Sequence, residues 1–344
     1  MQQRLIFLDV IRVIACMMVV LMHAPMTGEF AAAHGPFLVL DSYLTAPAVP
    51  LFFMVSGALL LPCREDLTAG IYLKKRIGKI IGPTLCFSLF YITLNISQLG
   101  GASLEVIRTI ASIPFSAQGH GILWFMYTLT GLYLLVPIIS PWIRRASKRE
   151  LELYLILWLI TLLYPYIGLA VKINSGDTGV LYYFTGYAGY FLLGHYLSKY
   201  PLSLKWLLPL AVLVLPLPLI NKLMNWNLDF YSAFWYLSAP VAIMSAAWFV
   251  VIKAFVERIQ IKDIISKALI NVSNLSFGIY LIHIFIMRNL LWNWTFIQGI
   301  SNYYIQTFSI TILTFAGSLT ICHLLSKWSF AQYIIGYSSH QKIK

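Results

Sequence analysis

The sequence predicts an all-α fold, a polytopic membrane helical bundle of about ten transmembrane helices with both termini cytoplasmic. Three observations predict it. Hydrophobic residues fill 60% of the 344 positions and charged residues 10%, where soluble domains average roughly 45–50% and 25%. Mean hydropathy is +0.79, and apolar runs recur about every 25 to 35 residues, the spacing of membrane-crossing segments joined by short loops. Lys and Arg, finally, gather in alternate connections. Such a composition excludes disorder, a secreted disulfide scaffold and a nucleic-acid-binding domain. The formal charge of +12 then has to be read by position, because short cytoplasmic loops of membrane proteins collect basic residues.

Breaking the chain at its polar and Gly/Pro clusters gives spans at 5–26, 45–62, 79–98, 121–141, 151–171, 179–198, 204–221, 230–252, 272–294 and 304–325. The first follows Met1 to Arg4, carries Asp9 and Arg12 inside its apolar run and lacks a small-residue cleavage site, so it reads as a retained helix. Pro47 and Pro50 in the second span, and Pro216 and Pro218 in the seventh, are tolerable because neighbouring helices can satisfy the freed backbone groups. With this count, the N-terminus, the even-numbered connections and the C-terminal tail hold nineteen Lys and Arg. The opposite connections hold four, namely Arg108, Lys172, Lys222 and Arg288. The basic stretches Lys74 to Lys79, Arg144 to Arg149 and Lys253 to Lys267 are therefore expected as short cytoplasmic loops. One domain is expected over 1–344, with no appended soluble domain and no internal repeat. Cys16, Cys63, Cys86 and Cys322 are scattered without CxxC or Cys/His spacing, so neither a disulfide framework nor a metal site is indicated.

The first span is the most informative because it holds three ionisable residues, Asp9, Arg12 and His23. Each is costly there, by roughly 2.5–3.5 kcal/mol for a central Asp or Arg, and such residues usually face the bundle interior. At about 100° per residue, the eleven steps from Arg12 to His23 end only ~20° beyond three full turns, and Asp9 is an i, i+3 neighbour of Arg12. All three share a face. A structural reading makes Asp9 and Arg12 an ion pair that fixes packing and His23 a hydrogen-bonded interfacial residue. The functional reading is a channel in which Arg12 holds an anionic donor, Asp9 steadies Arg12 and His23 is a general base toward an attacking hydroxyl.

Arg12, ten intervening residues and His23, preceded by Leu8-Asp9, resemble the opening motif of the acyltransferase 3 family of integral membrane acyltransferases. The similarity continues in order. Leu51-Phe52-Phe53-Met54-Val55-Ser56-Gly57 resembles the family's segment ending in Ser-Gly, and Lys74 to Pro83 its basic entry into the third helix. Leu123-Trp124-Phe125, Leu132 to Pro137 and Ser276 to His283 resemble further segments. The chain has Arg76 and Lys79 where the family more often has two arginines, and His120 is separated from Leu123 by Gly121 and Ile122.

The resemblance implies transfer of an acyl group, usually acetyl, from cytoplasmic acyl-CoA to a carbohydrate hydroxyl on or near the other membrane face. On this reading acetyl-CoA is the donor, a surface polysaccharide or lipid-linked glycan the acceptor and the cell inner membrane the location, with membrane lipid as the remaining partner. No nucleic acid or metal is expected, and a homo-oligomer stays open. His23 is the base, and Asp9, placed with it at the catalytic site, is an orienting partner. Arg12, Arg76 and Lys79, near Lys74 and Lys75, would hold the donor's phosphates, although simple positive-inside topology also explains a basic helix mouth. Ser56 and Gly57 would admit the pantetheine arm or another helix. Trp124, Tyr280 and His283 are candidates for substrate contact, and Trp124, Tyr127 and Tyr133 serve equally as core aromatics. A glycan transporter is the rival, since intramembrane charges and Pro-broken helices also mark substrate pathways. A non-catalytic assembly protein is the third reading.

Overall fold

In a lipid-embedded bundle every backbone group must find its partner inside the chain, and this chain does so with helices. The computed structural model describes residues 4–28, 34–66, 68–96, 104–117, 123–171 and 180–339. The helices are α1 (Ile6–His23), α2 (Gly35–Thr45), α3 (Ala48–Leu60), α4 (Ala69–Leu94), α5 (Leu104–Ser112), α6 (Trp124–Arg145), α7 (Lys148–Thr161) and α8 (Tyr164–Val171). They continue with α9 (Ala188–Lys199), α10 (Leu204–Val214), α11 (Leu217–Leu223), α12 (Phe230–Ala233), α13 (Ala239–Arg258), α14 (Asp263–Ile284), α15 (Thr295–Gln298) and α16 (Tyr303–Ser326). A π-helical stretch, Phe285–Leu291, extends α14. No strand occurs among the described residues.

Eight helical stretches among the described residues are long and apolar enough to cross a membrane: Ile6–His23, Gly35–Leu60, Ala69–Leu94, Trp124–Arg145, Leu204–Leu223, Ala239–Arg258, Asp263–Leu291 and Tyr303–Ser326. The other two expected spans take a different form. Residues 151–171 fall on α7 and α8, which break at Leu162 and Leu163, and 179–198 yields the twelve-residue α9.

Two boundaries differ from expectation for a common reason. Lys74 to Lys79 lie on α4, not in a loop. The Thr68 hydroxyl accepts the Ile71 N–H at 3.4 Å and starts that helix early, and Lys and Arg are good helix formers whose long stems can carry their charge out past the apolar layer. Likewise the basic stretch around Lys253 to Lys267 is mostly helix, with only residues 259–262 between α13 and α14. Ser147 and Glu150 form a reciprocal capping box that begins α7.

Burying apolar side chains among lipid tails gives little drive, so close backbone approach and interhelical hydrogen bonds have to hold the helices together. The closest approach is between α3 and α9. A Cβ on Gly57 would run into the Phe191 carbonyl, and one on Gly194 into the Met54 carbonyl. Tyrosine hydroxyls supply the second element, with Tyr91 donating to Leu281 O at 2.7 Å, Tyr43 to Val214 O at 2.7 Å and Tyr190 to Tyr236 O at 2.6 Å. Helix α1 sits centrally, packed against α3, α13, α14 and α16. It lies parallel to α14: Asp9 meets Ser273 near one end, and His23 meets His283 further along both helices.

After α16 the chain turns back beneath the bundle. A 3₁₀ turn at Ser329–Tyr333 packs on α4, where a Cβ on Gly82 would come within 2.9 Å of Tyr333 O. Ser338 Oγ donates to Trp328 O and the Ser339 N–H to Ser326 O, both at 2.9 Å. Gly336, at φ +73°, takes a left-handed turn with the Phe277 ring where a side chain would stand. This return segment closes one side of the site.

Candidate functional site

At the end of the bundle where α1 begins, α1, α3, α4, α6 and α14 leave a cavity of about 390 Å³, and Gly336 and Tyr337 of the return segment complete its wall. Arg12 of α1 and Arg76 and Lys79 of α4 line it. Ser56 of α3, Phe125 of α6 and Tyr280 of α14 line it as well. Arg12 is half-buried, whereas Arg76 and Lys79 are exposed at the mouth. No carboxylate among the described residues lines this cavity. Among the described residues, these three cations make no hydrogen bond or ion pair.

Among the described residues Asp9 makes no hydrogen bond or ion pair with Arg12, its i, i+3 neighbour. Its buried carboxylate is taken by Arg4, from Nε to Oδ2 at 2.8 Å and from Nη2 to Oδ1 at 2.7 Å, and by the Ser273 hydroxyl at 2.6 Å. Arg4 Nη2 also donates to Asn274 Oδ1 at 3.0 Å. Arg4 precedes the first helical turn, so its guanidinium can fold back over Asp9 and bind both oxygens in the planar fork that suits a carboxylate. Those hydrogen bonds, above all, push the Arg4 pKa above its ordinary value.

His23 lies farther along α1, about 16 Å from Arg12 at 1.5 Å per residue. It does not line the cavity. Its ring stands 5.6 Å from that of His283, and His283 stands 5.8 Å from Tyr280, which is in the cavity wall. Arg12 and His23 therefore share a helix face without sharing one open chamber, and the Tyr280–His283 pair separates them. His283 is fully buried. Its Nδ1–H donates to Tyr280 O at 2.5 Å, which leaves Nε2 as a buried acceptor with no partner among the described residues. Just past this pair α14 widens into its π-helical stretch, a distortion common beside functional sites.

Trp124 stands apart from the cavity. Its ring stacks on Tyr236 at 5.5 Å and meets Tyr187 at 5.6 Å. Tyr236 in turn donates to the Met22 sulfur at 3.3 Å, so this aromatic cluster abuts α1 one residue before His23. Gly57 serves the α3–α9 contact and is absent from the cavity wall, while its neighbour Ser56 has a place there. His120 lies outside the described residues.

Sequence reasoning did not single out Arg4, Ser273, Asn274 or Tyr337 as parts of the site. Ser273, Asn274 and Ser276 carried a readable signal, three polar residues within four at the start of an apolar span. Tyr337 carried none, since chain return alone brings it in, and Arg4, five residues before Asp9, was hidden by a helical spacing that points to Arg12. The described residues contain no cluster of His, Cys, Asp and Glu able to hold a metal ion.

Eight helical stretches of membrane-crossing length and a cavity lined by three cations make this a multi-pass helical membrane protein with an electropositive pocket. The acyltransferase 3 family model, an acyltransferase domain, matches residues 5–327. The chain belongs to that family and is a membrane acyltransferase. Comparison with curated proteins and with solved structures gave no match.

Proposed function

We propose that this protein is an O-acyltransferase of the cell inner membrane that moves an acyl group, acetyl in the simplest case, from cytoplasmic acyl-CoA to a hydroxyl of a surface polysaccharide or lipid-linked glycan. The observation that carries the reading is the cavity with three cations and, among the described residues, no carboxylate, in a chain of an acyltransferase family. Unpaired buried or half-buried charge is costly, and the phosphates of CoA are ligands that would neutralise it through charge-assisted hydrogen bonds. The skewed distribution of Lys and Arg supports placing this end of the bundle in the cytoplasm.

In this mechanism Arg12, Arg76 and Lys79 hold the donor's phosphates, and its flexible arm passes Ser56 and Tyr280 toward the histidines. The acceptor oxygen attacks the thioester carbonyl while His23 takes the hydroxyl proton. Collapse of the tetrahedral species breaks the C–S bond, and the thiolate leaves with that proton as free CoA. His283, fixed through Nδ1, offers its Nε2 lone pair beside the His23 ring and stabilises the protonated imidazole. The aromatic cluster of Trp124, Tyr187 and Tyr236 offers apolar ring faces to an acceptor sugar beside His23. The test is to give purified protein in lipid nanodiscs labelled acetyl-CoA. Release or transfer of label is expected, and its loss in His23→Ala; glycan flux without acyl turnover would refute the enzyme in favour of a transporter.

A further inference from the structure

Arg12 has a carboxylate one turn away and yet stays unpaired, and this arrangement needs a cause. Asp9 is almost completely buried, with a side chain 6% exposed, so its charge must be met from within the protein. Two cations lie within reach along the chain: Arg12, its i, i+3 neighbour, and Arg4. Helical spacing alone favours Arg12. The observed partner is Arg4, which binds both carboxylate oxygens, and the Ser273 hydroxyl completes the shell. Arg4 also donates to the Asn274 side-chain oxygen at 3.0 Å, and Tyr337 belongs to the return segment beside them. Asn274 and Tyr337 both line the cavity.

We infer that Arg4 is a positioning residue for donor binding: by occupying the Asp9 carboxylate it keeps the Arg12 guanidinium available to the donor's phosphates. The inference rests on the donor site proposed above. Asp9 is then a neutralised anchor that ties the start of α1 to α14, and the cavity keeps all three cations. Without Arg4, the buried carboxylate takes Arg12, its i, i+3 neighbour, and the cavity loses the one half-buried cation among its described lining residues. Ordinary anchoring of the N-terminus predicts no such charge transfer, which separates the two roles.

The experiment is a calorimetric titration of CoA into full-length protein in nanodiscs, with the thermal midpoint followed in parallel. Arg4→Gln is expected to weaken CoA binding about tenfold or more, the loss of one strong charge-assisted contact. Asp9→Asn is expected to bind CoA close to wild type. The double variant Arg4→Gln/Asp9→Asn is expected to recover most of the lost affinity, because no carboxylate remains to capture Arg12. Adding Arg12→Gln to Arg4→Gln is expected to cost little further, although Arg12→Gln alone costs the full amount, a non-additive cycle of coupled residues. Wild-type affinity in Arg4→Gln, or a double variant as weak as Arg4→Gln, would overturn the inference. Should Arg4→Gln fail to fold, a folded double variant with near-wild-type affinity supports it, and a folded double variant that binds weakly overturns it. Absence of CoA binding in the wild-type protein would instead strike the donor reading itself.

Discussion

Replacing Arg12 with Gln removes the one half-buried cation among the described residues that line the cavity, while keeping most of the side chain's bulk. A hydrogen bond to a charged group contributes about 1.5–3 kcal/mol, or about 10- to 150-fold in affinity. Arg12 falls in that range because it is half-buried and has no competing partner among the described residues. Arg76 and Lys79 are exposed at the mouth, where ion pairs contribute only about 0.2–1 kcal/mol, or about 1.4- to 5-fold. Calorimetric titration of CoA into the three Gln variants should therefore rank Arg12 well ahead of the other two. Ionic strength gives a second readout. Raising salt from 0.1 to 1 M shortens the screening length from about 10 to about 3 Å, which should erase the Arg76 and Lys79 effects and leave much of the Arg12 effect. The reasoning is refuted if Lys79→Gln costs as much as Arg12→Gln, or if all three variants stay within about threefold of wild type.

A general base typically contributes 10²–10⁴-fold, so His23→Gln should lower acyl turnover by about that factor and leave CoA affinity unchanged; a matching fall in affinity would contradict the division of roles. Gly57→Val should lower the thermal midpoint and the yield of monodisperse protein, because overpacking costs about 1–3 kcal/mol and here the obstacle is the Phe191 carbonyl. Ser56→Ala, one residue earlier, should leave both unchanged, and equal stability of the two variants would argue against the α3–α9 contact. An impermeant maleimide should label Ser203→Cys from the cytoplasmic side and Ser301→Cys from the other, both positions being exposed; the reverse pattern would invert the topology.

Long apolar periodicity made the helical bundle readable, and the spacing of Arg12 and His23 correctly placed both on one face of α1. The fate of Asp9 was not readable. Local spacing points to Arg12, and only the backward fold of Arg4 from outside the helix and the approach of Ser273 across the bundle decide otherwise. The pairing of His23 with His283 likewise needs the parallel contact of α1 and α14, which joins positions far apart in the chain. The length of α9 was not readable, because composition records apolarity and not helix length; its twelve residues are sheltered by neighbours. Gly57 was legible as a residue of close approach, by a ligand arm or another helix, and the structure sets the backbone of α9 against it.

The seam between α3 and α9 bears on how this protein can move. Two glycines press each helix against a carbonyl of the other, from Gly57 to Phe191 and from Gly194 to Met54, with no side chain between them to act as a bearing. Sliding either helix lengthwise would drive a bulkier neighbour into backbone, so the two must travel as one rigid plank. Ser56 is carried on that plank. Any widening of the cavity then has to come from the opposite bank, from α4, α14 or the return segment.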